Sequence, residues 1–196
     1  MMKLDRPDAP PWLIKNWEKW GQQYQENRTR NPRHQFAWKS HNKINVNHYL
    51  IPLLRKMTED HCSFCDASPM VARLKETIEH FKPKALYPLN VYEWENLFLC
   101  CYICQGAKRE QFKITLLKPD EVDYEFNKYF IVNFETGTLS PNPVNSANDQ
   151  QRAQDTIDLY NLNDPERLLD RICEFRKYTG IVNPNLTDFS YRFMFL

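Results

Sequence analysis

The sequence predicts an α+β chain: a small metal-stapled centre flanked by helices on its N- and C-terminal sides. Three observations carry this expectation. Two Cys-x-x-Cys pairs, Cys62/Cys65 and Cys101/Cys104, bracket the middle of the chain. A short β-type run, ETIEHF at 76–81, lies between them. Amphipathic stripes at helical spacing occupy both flanks. The expected organisation is one domain, with a helical part over 1–57, a cysteine-bound core over 58–114, and a hairpin with helices over 115–196.

Each element has a local reason. After Pro10 and Pro11, the stripe Leu13, Trp17, Trp20 and Tyr24 predicts an amphipathic helix with its aromatics on a core face. Residues 25–42, QENRTRNPRHQFAWKSHN, are polar and basic and read as a loop. A second helix is expected over about 45–57, with Leu50, Leu53, Leu54 and Met57 inward. TEDHCSFCDASPM then makes a short knuckle-like turn. The strand at 76–81 is stopped by Pro83, and KALYPLNVYEWEN is a loop. Leu99–Phe112 reads as a helix. KYFIVNFETGTLSP reads as a hairpin turning at its Thr-Gly pair. A further helix over about 147–161 turns Ala153, Ile157 and Tyr160 to one side. In the last helix Asp164 is the N-cap, Pro165 the first helical residue and Gly180 the stop. The tail DFSYRFMFL alternates as a strand would.

Composition narrows the function classes. The 196 residues carry a net charge of +1, so attraction to a polyanion must come from local clustering. Four glycines against thirteen prolines leave no glycine-rich phosphate loop, and neither GxGxxG nor GxxxxGK[ST] occurs. No apolar run approaches the length of a membrane span, and MMKLDRPDAPPW lacks a signal-peptide core. A cytoplasmic chain with reduced cysteines is expected, in which Cys-x-x-Cys spacing points to metal or redox chemistry rather than disulfides.

Four thiolates from two such pairs make a closed tetrahedral zinc site. Cys100, beside the second pair, and Cys173 lie among apolar neighbours and are expected in the core. His61 adjoins Cys62, but four thiolates leave it no place as a ligand. A redox motif would be single and set in a βαβ unit, which this pattern is not. The long insertion between the pairs is where chemistry is expected. It holds adjacent Glu79 and His80, then Asn96, with Lys108 and Arg109 following the second pair. An imidazole can take a proton from water, a carboxylate can hold a hard divalent cation, and basic side chains can hold phosphate. That combination suits hydrolysis of a phosphodiester.

In this order, HCSFCD, IEHFKPK, YEWENLFLCCYICQGAK and the later QRAQDTIDLYNLN resemble the zinc-containing HNH endonucleases. The likeness is narrower to the HNH nucleases that accompany an ATPase in Septu-type and retron-associated antiviral systems, and it covers most of the chain. The resemblance implies a zinc-supported ββα-metal (HNH) element flanked by N- and C-terminal helices. It implies His80 as general base, Asn96 orienting it, and Cys62, Cys65, Cys101 and Cys104 on structural zinc. Glu79 would be a ligand of a catalytic magnesium or manganese ion. The position after the last cysteine, usually His or Asn, would supply another; here it is Gln105, which keeps an amide oxygen on a longer arm. The implied partners are nucleic acid, DNA before RNA, and an ATPase subunit, with no membrane.

Other readings stay open. Lys82, Lys108 and Arg109 hold phosphate or merely line a solvated face. Arg28, Arg30, Arg33 and Lys39, interleaved with Phe36 and Trp38, track a nucleic-acid strand or form a solvated loop. The chain is an active nuclease on DNA, one on RNA, or a weak or inactive zinc-bound module that regulates the ATPase.

Overall fold

The computed structural model describes residues 1–70 and 75–196. The N-terminal flank forms α1 (Pro11–Ile14) and α2 (Trp17–Arg30), then a small β1–β2 ladder (Ser40–His41, Ile44–Asn45) and α3 (Asn47–Thr58). The expected first helix is therefore broken. Asn16 leaves helical geometry at φ −123°, and its side-chain amide donates to the Trp12 carbonyl at 2.6 Å, which competes with the helical ladder. The helix then runs further than expected, to Arg30, so the loop is shorter.

The centre is a two-stranded antiparallel ladder of β3 (Glu76–His80) and β4 (Leu97–Cys101), followed at once by α4 (Tyr102–Lys108). Its register pairs Glu76 with Cys101 and His80 with Leu97. The helix expected over Leu99–Phe112 is corrected here: its first residues are strand. LFLCC is buried on both faces, and such a continuous apolar run does not separate strand from helix by periodicity. Cys101 ends the strand extended, and its sulfur accepts the Cys104 amide, capping α4. The cysteine knuckle docks on the ladder through the Ser63 amide, which donates to the Leu99 carbonyl at 2.9 Å.

The C-terminal part contains α5 (Phe126–Tyr129), the antiparallel hairpin β5–β6 (Phe130–Val132, Leu139–Pro141), α6 (Ala147–Leu159) and α7 (Pro165–Thr179). Asp164 caps α7 by accepting the Glu166 amide, and Gly180 follows its end, as expected. The tail is not a strand. It forms short 3₁₀ turns, with Phe189, Tyr191, Arg192, Phe193 and Met194 buried. Arg192 holds it in place: its backbone amide and Nη2 donate to Asp66 at 2.7 and 2.8 Å, and Nη2 also donates to the Thr58 carbonyl at 3.2 Å. Cys100 is buried as expected, but Cys173 is exposed, because it lies on the outer side of α7. The buried apolar side chains form one connected cluster running from Leu13 through the ladder to Phe193. No helix of the described residues is long and apolar enough to cross a membrane.

Gly21 sets the fit of the N-terminal flank on the centre. A Cβ there would lie 2.2 Å from the Leu89 carbonyl oxygen, in the turn Pro88–Asn90. Gly21→Ala is expected to lower stability by about 1–3 kcal/mol through overpacking, read from urea unfolding. Gly106→Ala, in α4 with no atom within 4 Å of the added methyl, is the control. It should be neutral or stabilising by about 0.5–1 kcal/mol.

Candidate metal centre and active site

Cys62 and Cys65 come from the knuckle, Cys101 from the end of β4 and Cys104 from the first turn of α4. Their sulfurs all lie within 4.8 Å of one another and are buried. Tetrahedral zinc with bonds of about 2.3 Å sets sulfurs about 3.8 Å apart. Cys65 and Cys101 Sγ are 3.8 Å apart, so this group can hold a metal ion such as zinc. Four thiolates around a divalent ion leave excess negative charge, and the surroundings answer it. The Cys101 amide donates to Cys62 Sγ at 3.3 Å, the Cys104 amide to Cys101 Sγ at 3.5 Å, and Arg167 Nη2 to Cys104 Sγ at 3.2 Å. Arg167 is buried; burial opposes its charge, but Cys104, Cys65, Cys101 and Cys62 outweigh that and hold the guanidinium protonated. His61 is not in the group: Nδ1 faces the Glu59 carbonyl at 2.6 Å and Nε2 that of Phe189 at 3.0 Å.

Glu79 and His80 are adjacent on β3, and successive residues of a strand face opposite ways. Glu79 faces α4. Its carboxylate is 2.8 Å from Lys108 Nζ, which also donates to the His80 carbonyl at 3.0 Å. Lys108, read as a phosphate contact or as part of a solvated face, is wholly buried against this carboxylate. Burial pushes the Glu79 carboxyl up, against the charge and hydrogen bond of Lys108, the charge of Lys84 and a hydrogen bond from Gln105. Gln105 is half-buried one turn before Lys108, its amide donating to the Ile78 carbonyl at 3.3 Å. A carboxylate and an amide are donors that a hard divalent cation accepts, so Glu79 and Gln105 fit such an ion in chemistry. In this conformation Lys108 supplies the positive charge at Glu79.

His80 faces the other way and is buried. Nε2 lies 2.9 Å from the Val91 carbonyl, which makes it the N–H side of a neutral ring. Nδ1 then carries the lone pair, and it is buried with no hydrogen-bond partner among the described residues. Burial pushes the imidazole pKa down to about 3, helped by the charge of Lys84. Asn96 was expected to orient this ring, but the Val91 carbonyl does so. Asn96 instead pins the chain around it, with Oδ1 accepting the Lys82 amide at 2.6 Å and Nδ2 donating to the carbonyls of Lys82 and Asn90 at 3.1 and 2.9 Å. Of the other expected phosphate contacts, Lys82 is half-buried and Arg109 exposed.

The comparisons can now be placed on this geometry. No family model matches the chain. It is similar to the Septu protein PtuB of Bacillus thuringiensis, with 26% identity over 171 residues, covering 86% of this chain and 57% of that protein. The chain thus spans little more than half the length of this curated relative.

Several residues at the site left no local signal in the sequence. Arg167 reaches the thiolates from 63 positions beyond Cys104. Val91 acts through its carbonyl, which any residue possesses. Phe36 and Trp38, which pack on His80, were visible only as aromatics in a basic loop.

Metal analysis of purified protein should find one zinc per chain. Cys104→Ser should lose the metal and the cooperative unfolding transition. Arg167→Met should keep the fold and bind zinc about 10–100-fold more weakly, read by competition with a chromogenic chelator.

Proposed function

We propose that the chain is an HNH-type metal-dependent endonuclease that hydrolyses nucleic-acid phosphodiesters, DNA in the first place. In this reading it is the effector of a Septu-type antiviral system and works with an ATPase partner. The observation that carries the reading is the tautomer of His80: Nε2–H is fixed by Val91, and the lone pair on Nδ1 is left without a partner. A neutral imidazole with a fixed ring and an unused lone pair can take a proton from water once the burial that depresses its basicity is relieved. The β3–β4–α4 order, with paired cysteines at its base, supports reading the centre as a ββα-metal element. The likeness to the Septu protein supports the defence role.

Each side chain then has a task. His80 Nδ1 accepts the proton of the attacking water. Val91 and the Asn96 clamp keep the ring in place. Glu79 and Gln105 would hold a magnesium or manganese ion, which when bound stabilises charge on the phosphoryl oxygens. Lys82 and Arg109 would hold backbone phosphates.

One observation favours a second reading. Lys108 neutralises Glu79 from a fully buried position, which is the arrangement of a quiet structural pair. In that reading the chain is a zinc-bound module that docks on the ATPase and regulates it.

A cleavage assay with magnesium or manganese, run in parallel on plasmid DNA, single-stranded DNA and RNA, separates the two. His80→Ala should lose about 100-fold or more in rate while keeping the zinc content of the wild type. Cleavage indifferent to that substitution removes His80 as the base. A wild type that cleaves neither polymer, alone or with the ATPase, leaves the regulatory module.

A further inference from the structure

The imidazole assigned above as the base is roofed. Trp38 stacks on the His80 ring with centroids 5.7 Å apart at 23°, and Phe36 meets it edge-on at 5.2 Å. These two aromatics lie on an irregular segment between α2 and β1. The segment is tied at its ends, where the His34 amide donates to the Asn31 carbonyl and the Lys39 carbonyl accepts the Val46 amide. Between those ties, no backbone amide of residues 35–38 donates a hydrogen bond among the described residues. One clasp is present there: Tyr92 Oη donates to the Ala37 carbonyl at 2.7 Å. Both aromatics are half-buried, so each shows one side to His80 and part of the other to solvent. The two rings also pack on each other and on Tyr92, and Phe36 on Tyr24 and under Lys84. Between its ties, however, the backbone of the segment is held by that one hydroxyl, and such a cover belongs to the low-stability end of a fold.

The charge around this cover is one-sided. The chain as a whole is nearly neutral, yet no Asp or Glu occurs between Glu26 and Glu59. Arg28, Arg30, Arg33, Lys39 and Lys43 fall within that interval. Among the described residues, Arg30 meets only exposed Glu26, at 3.9 Å, and the other four make no ion pair. Cations beside aromatic rings are the chemistry that receives an unpaired nucleic-acid strand, phosphates on the former and base faces on the latter.

We propose that residues 28–43 are a binding site for single-stranded nucleic acid, and that Phe36 and Trp38 form a lid which the strand lifts from His80. Unpaired bases replace the imidazole against the two rings, and the same movement opens Nδ1 to water and phosphate. A duplex keeps its base faces stacked on one another and lifts the lid poorly. The inference rests on the reading of His80 as the base, and it adds which form of substrate reaches that base and how.

Two measurements on the protein as purified, without added magnesium or manganese, test it, so neither depends on cleavage. The first is diethyl pyrocarbonate labelling, resolved by peptide mass spectrometry. Exposed His48 and doubly hydrogen-bonded His61 are the fast and slow references in the same molecule. Wild-type His80 should react as slowly as His61. Trp38→Ala should raise its rate roughly tenfold or more by freeing local opening, with His61 unchanged. Should His61 also become reactive, that variant has lost its fold and Tyr92→Phe, which removes only the clasp, decides with a smaller rise. His80 as reactive as His48 in the wild type, or unreactive in a folded variant, overturns the lid. The second is anisotropy of a labelled oligothymidylate and of a duplex of equal length. The single strand should bind more tightly. Arg30→Ala, Arg33→Ala and Lys43→Ala together should weaken it at least about tenfold and make its salt dependence shallower by about 2 in log–log slope. Equal affinity for duplex, or no change in the triple variant, overturns the binding site. A nuclease that fails only in the His80→Ala comparison would leave both results standing.

Discussion

The four-cysteine cluster is the constraint on which the rest of the centre depends. The β3–β4 ladder is five residue pairs long. A two-stranded ribbon of that size is at best marginally stable by itself in water. Joining the knuckle to the end of β4 and the first turn of α4 fixes three chain directions at one point. The seven-residue helix α4 is likewise too short to persist alone. With Cys101 as its cap and Cys104 in the thiol cluster, its axis is set, and so are the positions of Gln105 and Lys108 along it. Arg167 ties the last long helix to the same point, so the C-terminal part is oriented by the charge of the thiolates as well as by apolar packing.

Around that anchor the chemistry of Glu79 and His80 is turned inward. Among the described residues Glu79 is matched by an ammonium that has no other carboxylate to serve, and His80 by two aromatic rings and a carbonyl. Both arrangements are dry: low dielectric strengthens the attraction of Lys108 for Glu79 while burial opposes the carboxylate's charge, and the imidazole stays neutral there. A conformation in which these groups meet solvent needs movement of a side chain in one case and of a loop in the other. The two faces of β3 are therefore governed separately, although the residues concerned are neighbours in sequence.

Much of this was legible in the residues. Spacing identified the four cysteines because a metal site writes its ligand geometry into a short pattern. Helices α3, α6 and α7 followed from apolar periodicity and, for α7, from Asp164, Pro165 and Gly180. The hairpin β5–β6 followed from its Thr-Gly turn. What was misread failed for physical reasons. LFLCC is apolar throughout, and such a run carries no period to tell a strand from a helix. Asn16 breaks the first helix by a side-chain bond that no stripe of aromatics reveals. The tail alternates like a strand, yet Arg192 and the aromatic packing wind it into turns. At the site, residue types announced His80 and Glu79, but their partners are distant in sequence. Lys108, Val91, Phe36 and Trp38 reach them only through the fold.

The clamp between Arg192 and Asp66 has a consequence for how the molecule comes into being. The two residues are 126 positions apart, and Asp66 belongs to the same knuckle as Cys62 and Cys65. A ribosome exposes the knuckle well before Arg192. Until then the knuckle lacks the groups that hold its outer side, and contacts of such long sequence separation form slowly. The nascent chain therefore passes through a period with its thiols available and its centre unfinished.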